Sequence, residues 1–179
     1  MTVKKYFLAI VIPEPLYGEI ETVKQQLFAE YNLKGALRSP SHITLHRPFE
    51  WNEEKENILI EKLNVFKFDK EFSIELNNFS FFEPRVIYVD VNLTKELEQL
   101  HENLKKFVKK ELRLFNEADD LRGFQPHVTV ASRDLKKPKF YELQPQFKSK
   151  QLSGTFNCKS FCLLKLGKQW TARHVFNFS

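Results

Sequence analysis

Two stretches of this sequence repeat one pair of reactive side chains: "HITLHRPF" (42–49) and "HVTVASR" (127–133). Each sets a histidine two residues before a threonine inside a short, apolar, partly β-branched run. On a strand, residues i and i+2 share a face, so His42 and Thr44 project together with Ile43 and Leu45 packed behind. His127 and Thr129 do the same in front of Val128 and Val130. An imidazole titrates near neutral pH, so two of them flanking a phosphate can act as general base and general acid. Two hydroxyls can donate to the non-bridging phosphoryl oxygens, where charge builds up. With no carboxylate and no metal cage in the set, the chemistry it suits is metal-independent, in-line displacement at a phosphodiester. No cofactor is expected.

Such a site needs two strands facing each other, and the order of elements supplies them. "KYFLAIVI" (5–12) reads as a strand closed by Pro13 and Pro15. Leu16, Ile20, Val23, Leu27 and Tyr31 then form one face of a helix. After the loop "LRSPS" comes the strand "HITLH", a helix over "NEEKENILIEKL" with Asn52 as N-cap, and an alternating strand "EFSIELNNFSFF". From residue 86 the order restarts. "VIYVDV" is a strand, and Thr94 caps a helix buried through Leu97, Leu100, Leu104, Phe107 or Val108, and Leu112. The polar loop "NEADDLRGFQP" leads into "HVTVA". A Lys-rich, Pro-containing stretch with one helical turn near 138–142 follows, and two strands, "GTFNCKSFCLLKL" and "ARHVFNF", meet near Gly167.

Strand, helix, loop and H-x-T strand therefore occur twice. The pattern predicts an α+β fold: a bilobal, duplicated, pseudo-twofold unit with the active cleft between lobes. Neither half can bury a comfortable core alone, so residues 1–179 are expected to form a single bilobal domain, with lobe elements at roughly 1–83 and 84–179.

Composition narrows the setting. No uninterrupted apolar stretch is long enough to span a bilayer, and "MTVKKYFLAIVIPEP" lacks a small-residue cleavage pattern, so a cytoplasmic protein without membrane attachment is expected. Cys158 and Cys162, four apart on a strand, would sit about 13 Å from each other, too far for a disulfide. They read as reduced packing residues. The net charge of +5 is uneven: residues 135–179 hold nine Lys/Arg against one acid, Glu142. That basic end suits an anionic partner such as RNA or a nucleotide, and it also fits a solvated lysine-rich surface.

Around the motifs lie further candidates. Alternation puts His46 on the face of His42 and Thr44, at the rim of the cleft or paired with His42 on a metal. A metal would want a third ligand, and Glu50, Asp119 and Asp120 have no ligand-like spacing, so none is expected. Arg47 and Arg133 could clamp a phosphate or pair with surface acids. Phe124 could stack a base or fill the core. His101 and His174 read as structural or solvated, and Trp51 and Trp170 as lobe packing rather than a base platform.

"HITL" and "HVTV", 85 residues apart, resemble the twin H-x-T-x signature of the 2H phosphoesterase superfamily, the 2′-5′ RNA ligase-like proteins. "HITLHRPF" is similar to the family's first motif with its trailing Pro-Phe, and "FQPHVTVASR" to its second. The resemblance covers the whole chain and implies two antiparallel sheets flanked by helices. It implies His42, Thr44, His127 and Thr129 as the catalytic set, with Arg133 following the second motif. The implied activity is metal-free hydrolysis of RNA 2′,3′-cyclic phosphate ends or cyclic nucleotides, or cleavage and joining of 2′-5′ phosphodiester bonds. The expected partners are RNA ends or a small nucleotide, and a monomer is expected. The alternative is a nucleotide- or RNA-binding module of the same fold without turnover. Intact pairs of both His and Thr favour the enzyme, because binding alone would call for cations and aromatics rather than two proton-transfer groups.

Overall fold

The computed structural model describes residues 1–115 and 122–179. Two four-stranded antiparallel sheets carry the fold. β1 (Val3–Val11) and β2 (His42–Asn52) join β7 (Ser160–Leu166) and β8 (Trp170–Asn177) in the first, in the order β2-β1-β7-β8. β3 (Phe72–Phe82), β4 (Val86–Val91), β5 (His127–Ala131) and β6 (Ser153–Cys158) make the second, in the order β5-β4-β3-β6. The two orders correspond. Among the described residues, the H-x-T strand of each sheet is an edge strand that pairs with the first strand of its repeat, β1 or β4.

The repeat predicted from the sequence is thus present, but the sheets are not divided at residue 83. β3 joins the second sheet, and the chain returns to the first sheet with β7 and β8. "GTFNCKSFCLLKL" accordingly holds two strands, β6 and β7, broken at Lys159 and belonging to different sheets. Cys158 and Cys162 fall one on each, both buried and free, and burial pushes the Cys158 thiol up to about 12.

α1 (Leu16–Tyr31) links β1 to β2, and α3 (Lys95–Leu112) links β4 towards β5. α1 buries Leu16, Ile20 and Leu27 as read, together with Lys24. The Thr94 hydroxyl accepts from the Leu97 amide at 3.2 Å, and α3 buries Leu97, Leu100, His101, Leu104, Val108 and Leu112. The Asn52 side chain caps a short 3₁₀ turn, 53–55, that runs into α2 (Glu56–Asn64). The Lys-rich stretch departs from expectation: α4 (Lys137–Ser149) is a 13-residue helix, not one turn. It buries Phe140, Leu143, Gln144 and Phe147, a spacing of three, one and three that draws one stripe. Phe140 packs edge-on to Phe81, and Phe147 to Phe79 of β3. Burying three large apolar side chains contributes roughly 1.5–3 kcal/mol each, which outweighs the roughly 3 kcal/mol cost of Pro145 inside the helix.

Apolar residues from both sheets and all four of these helices join one buried cluster, including Leu8, Ile10, Ile43 and Leu45 from one side and Val89, Val128 and Val130 from the other. Across it, β2 and β5 lie against each other. Among the described residues, no helix is long and apolar enough to cross a membrane.

Candidate active site

Register decides what the two edge strands show to each other. In the first sheet Val11 pairs with His42, Ile10 with Ile43 and Ala9 with Thr44. In the second, Asp90 pairs with His127, Val89 with Val128 and Tyr88 with Thr129. Paired residues share a face, so Ile43 and Val128 go to the core while both histidines and both threonines stay half-buried on the other side. They meet in two adjoining cavities. One, of about 360 Å³, is lined by Thr44, Arg47, Phe82, Phe124 and His127 among others. The second, of about 230 Å³, is lined by Phe7, His42, Thr44, Thr129 and Arg133 among others. Thr44 and Pro48 line both, so all four motif residues border one continuous cleft.

The two imidazoles are held alike. Nδ1 of His42 lies 2.6 Å from the Pro40 carbonyl oxygen, and Nδ1 of His127 lies 2.7 Å from that of Gln125. A carbonyl only accepts, so each Nδ1 must carry the proton and donate it. In a neutral ring that leaves each Nε2 with its lone pair, ready to take a proton. Aromatic walls fix the ring planes: Phe7 sits 4.8 Å from the His42 ring, while Phe82 and Tyr88 lie 5.0 and 5.2 Å from His127. Burial pushes His42 down to about 4, with the charges of Lys24 and His127 adding to the fall and the Pro40 carbonyl and Glu21 opposing it. Burial also lowers His127, against the pull of the Gln125 carbonyl and Asp90. Both rings are therefore neutral at pH 7 in the empty cleft, and an arriving phosphate would raise them.

The loops that present these rings are anchored from behind. The Glu21 carboxylate accepts from the Ser41 amide and hydroxyl at 3.0 and 2.9 Å. Lys24, buried, donates to Glu21 at 3.0 Å and to the Ser39 carbonyl at 3.1 Å. Residues 39–41, and with them the Pro40 carbonyl, are pinned on both sides. Asp134, just past β5, accepts the amides of Lys34 and Gly35 at 2.8 and 2.9 Å, which ties the loop after the second motif to the loop before the first.

Of the other candidates, Arg47 and Phe124 border the cavity that holds His127, and Arg133 borders the one that holds His42. Phe124 also packs against the core and stacks face to face on His101, with centroids 3.8 Å apart. His46 is a correction. It lies 1% exposed, off the cleft, because the ladder slips after Thr44: Ala9 pairs with Thr44, but Leu8 pairs with His46. The extra residue is a β-bulge, which resets the alternation and turns His46 to the core side. There Nδ1 of His46 donates to the Arg47 carbonyl at 2.8 Å, and its ring sits edge-on to Phe49. Sequence reasoning missed Phe7, Phe82, Tyr88, Glu21, Lys24 and Asp134. The apolar patterns of β1, β3 and β4 could have flagged Phe7, Phe82 and Tyr88, but nothing local signals that the acids and the lysine reach across the fold.

Among the described residues, no group of three or more His, Cys, Asp or Glu side chains is placed to hold a metal ion; Asp119 and Asp120 lie outside them. The model of the 2′-5′ RNA ligase superfamily matches residues 12–170. Similar sequences include a presumptive phosphoesterase of Oceanobacillus iheyensis, 28% identical over 144 residues that cover 78% of this chain and 76% of the relative. Another from Bacillus licheniformis is 33% identical over 97 residues, 52% of this chain and 53% of its own. Escherichia coli LigT, complexed with 3′-AMP, superposes with a TM-score of 0.67 at 16% identity, covering 100% of this chain and 99% of its own. The protein TT0787 of Thermus thermophilus superposes with a TM-score of 0.62 at 18% identity, over 97% of each chain. With the family model spanning nearly the full length and both H-x-T strands bordering one cleft, the chain belongs to the 2′-5′ RNA ligase superfamily, the 2H phosphoesterases.

Proposed function

We propose that this protein is a metal-independent phosphoesterase acting on 2′,3′-cyclic phosphate ends of RNA or on small cyclic nucleotides, and that 2′-5′ bond cleavage and joining use the same groups. The observation that carries the reading is the matched mounting of His42 and His127, each with Nδ1 committed to a backbone carbonyl and Nε2 left for the cleft. LigT, which this chain resembles in fold, has been solved with 3′-AMP, ATP, NADP⁺ and phosphate.

In the hydrolytic direction, water attacks phosphorus while one ribose P–O bond breaks. One neutral imidazole takes the water proton on Nε2. The other, charged in the presence of the phosphate, gives its Nε2 proton to the departing ribose oxygen. Thr44 and Thr129 donate to the two non-bridging oxygens as charge accumulates on them. With an RNA 5′-hydroxyl in place of water, the same roles apply: the 3′ oxygen leaves with a proton and a 2′-5′ linkage forms. In the reverse reaction the 3′-hydroxyl attacks, the 5′ oxygen leaves and the histidines exchange roles. Arg47 and Arg133, on the cleft borders, complement the phosphate charge.

The test is turnover of a nucleoside 2′,3′-cyclic phosphate with chelator present. Conversion to a nucleoside monophosphate is expected. Binding of the nucleotide without any conversion would favour the non-catalytic module instead.

A further inference from the structure

Beside the cleft lies a further cavity of about 240 Å³, lined by Pro84, Arg85, Arg133, Leu135, Lys136 and Lys137. Four of its six lining residues are cationic and none is acidic. Arg133 borders this cavity and the His42 cavity alike, so the two are neighbours.

The nearby acids are engaged elsewhere. Asp134 holds the Lys34 and Gly35 amides, Glu83 accepts from Gln144 at 2.6 Å, and Glu142 pairs with Lys139 at 2.7 Å. Among the described residues, none of the four cations has an ion-pair partner, and like charges crowded without a counter-ion raise the energy of the empty pocket. The mount is also fixed. Leu135 donates its amide to the Ser132 carbonyl at 2.8 Å, the Arg85 amide donates to the Phe82 carbonyl at 3.0 Å, and Arg133 is held at φ 35°, a left-handed conformation that a non-glycine residue adopts only under constraint.

Resting on the phosphoesterase reading above, we infer that Arg85, Arg133, Lys136 and Lys137 form a subsite for a second phosphate, so that the preferred substrate is a nucleotide carrying a further phosphoryl group beyond the one attacked. That group is either the internucleotide phosphate of an RNA strand ending in the cyclic phosphate or the 5′-phosphate of a free nucleotide.

The experiment compares three substrates: adenosine 2′,3′-cyclic phosphate, its 5′-phosphorylated form, and the dinucleotide ApA ending in a 2′,3′-cyclic phosphate. Each is run on the wild type and on a triple variant, Arg85→Ala/Lys136→Ala/Lys137→Ala. These three side chains are exposed, and matching melting curves would show that the variant folds. Wild-type kcat/KM should be on the order of tenfold higher for at least one doubly phosphorylated substrate, as charge-assisted contacts to one more phosphate imply. The preference should shrink with salt and fall to near unity in the variant, whose rate on the singly phosphorylated substrate stays within about twofold of wild type. Preference for the dinucleotide alone assigns the subsite to a strand; equal preference for both assigns it to the phosphate of a single nucleotide. No preference in the wild type, or one that survives in the variant, overturns the inference. If no substrate turns over, the phosphoesterase reading fails separately, and calorimetric binding of adenosine 3′,5′-bisphosphate against 3′-AMP still decides the subsite.

Discussion

The Nδ1 proton of His42 is committed to the Pro40 carbonyl, 2.6 Å away, and His127 repeats the arrangement with Gln125 at 2.7 Å. In both lobes the acceptor is the carbonyl two residues before the histidine, at the point where the chain enters the edge strand. The protein therefore fixes the tautomer with backbone, and a carboxylate partner of the kind that would hold a charged imidazole is not used in these two bonds. Burial, against the pull of these carbonyls, keeps the rings neutral at rest, and the substrate's own charge must then make one of them an acid.

The pH profile should show this. His42 is pushed down to about 4 and His127 is lowered from its usual 6.5, both chiefly by burial. A free enzyme needing one neutral and one protonated histidine is most populated between its two pKa values. The kcat/KM optimum for a nucleoside 2′,3′-cyclic phosphate should therefore lie below about 6.5 and fall as pH rises through 7. An optimum at pH 8 would contradict the lowered values.

Phosphate binding should take up a proton. Both rings are neutral at pH 7, and a dianion beside them favours the imidazolium. Calorimetry of inorganic phosphate in buffers of different ionisation enthalpy should report net uptake at pH 7, which disappears in a His42→Asn/His127→Asn double variant. Binding with no proton exchange would mean that the histidines do not sense the phosphate.

Thr44→Val and Thr129→Val keep shape and remove the donor. Each should lower kcat on the order of 10²-fold with little change in KM, since the hydroxyls act where charge develops in the transition state. A rise in KM with kcat intact would recast them as ground-state contacts.

His46 should matter for folding and not for chemistry. At 1% exposure, bonded to the Arg47 carbonyl and edge-on to Phe49, it belongs to the core. His46→Ala should cost roughly 1–3 kcal/mol in a urea titration while leaving kcat of the folded fraction within a few-fold of wild type. A large loss of kcat at unchanged stability would put the residue back in the cleft.

That residue also marks the limit of what alternation reveals. Period-two reading places His42, Thr44, His127 and Thr129 on a common face, because three or four regular residues suffice to orient them. It misplaces His46, only two residues on, because a bulge is a property of the ladder with β1 and leaves no trace in the strand's own residues. The helix α4 is under-read because Pro145 argues against a helix interior locally; Pro138 sits in the first turn, where proline is tolerated, and Phe140 and Phe147 pack on Phe81 and Phe79 of β3. The duplicated order is legible; that β7 and β8 return to the first sheet is not, since strand order depends on contacts across more than a hundred residues. Glu21 and Lys24 are a local pair on α1; what stays hidden is that they reach Ser41 and Ser39 in the loop before β2, and that Asp134 reaches Lys34 from the far side of the chain.

The central claim is that two histidines, and no metal, carry the chemistry. The most direct measurement is the turnover of a nucleoside 2′,3′-cyclic phosphate in excess chelator by the wild type, His42→Ala and His127→Ala. The account predicts full wild-type activity and a loss on the order of 10²-fold or more in each variant, with folding retained. Wild-type activity abolished by chelator, or either variant turning over at close to the wild-type rate, would contradict it.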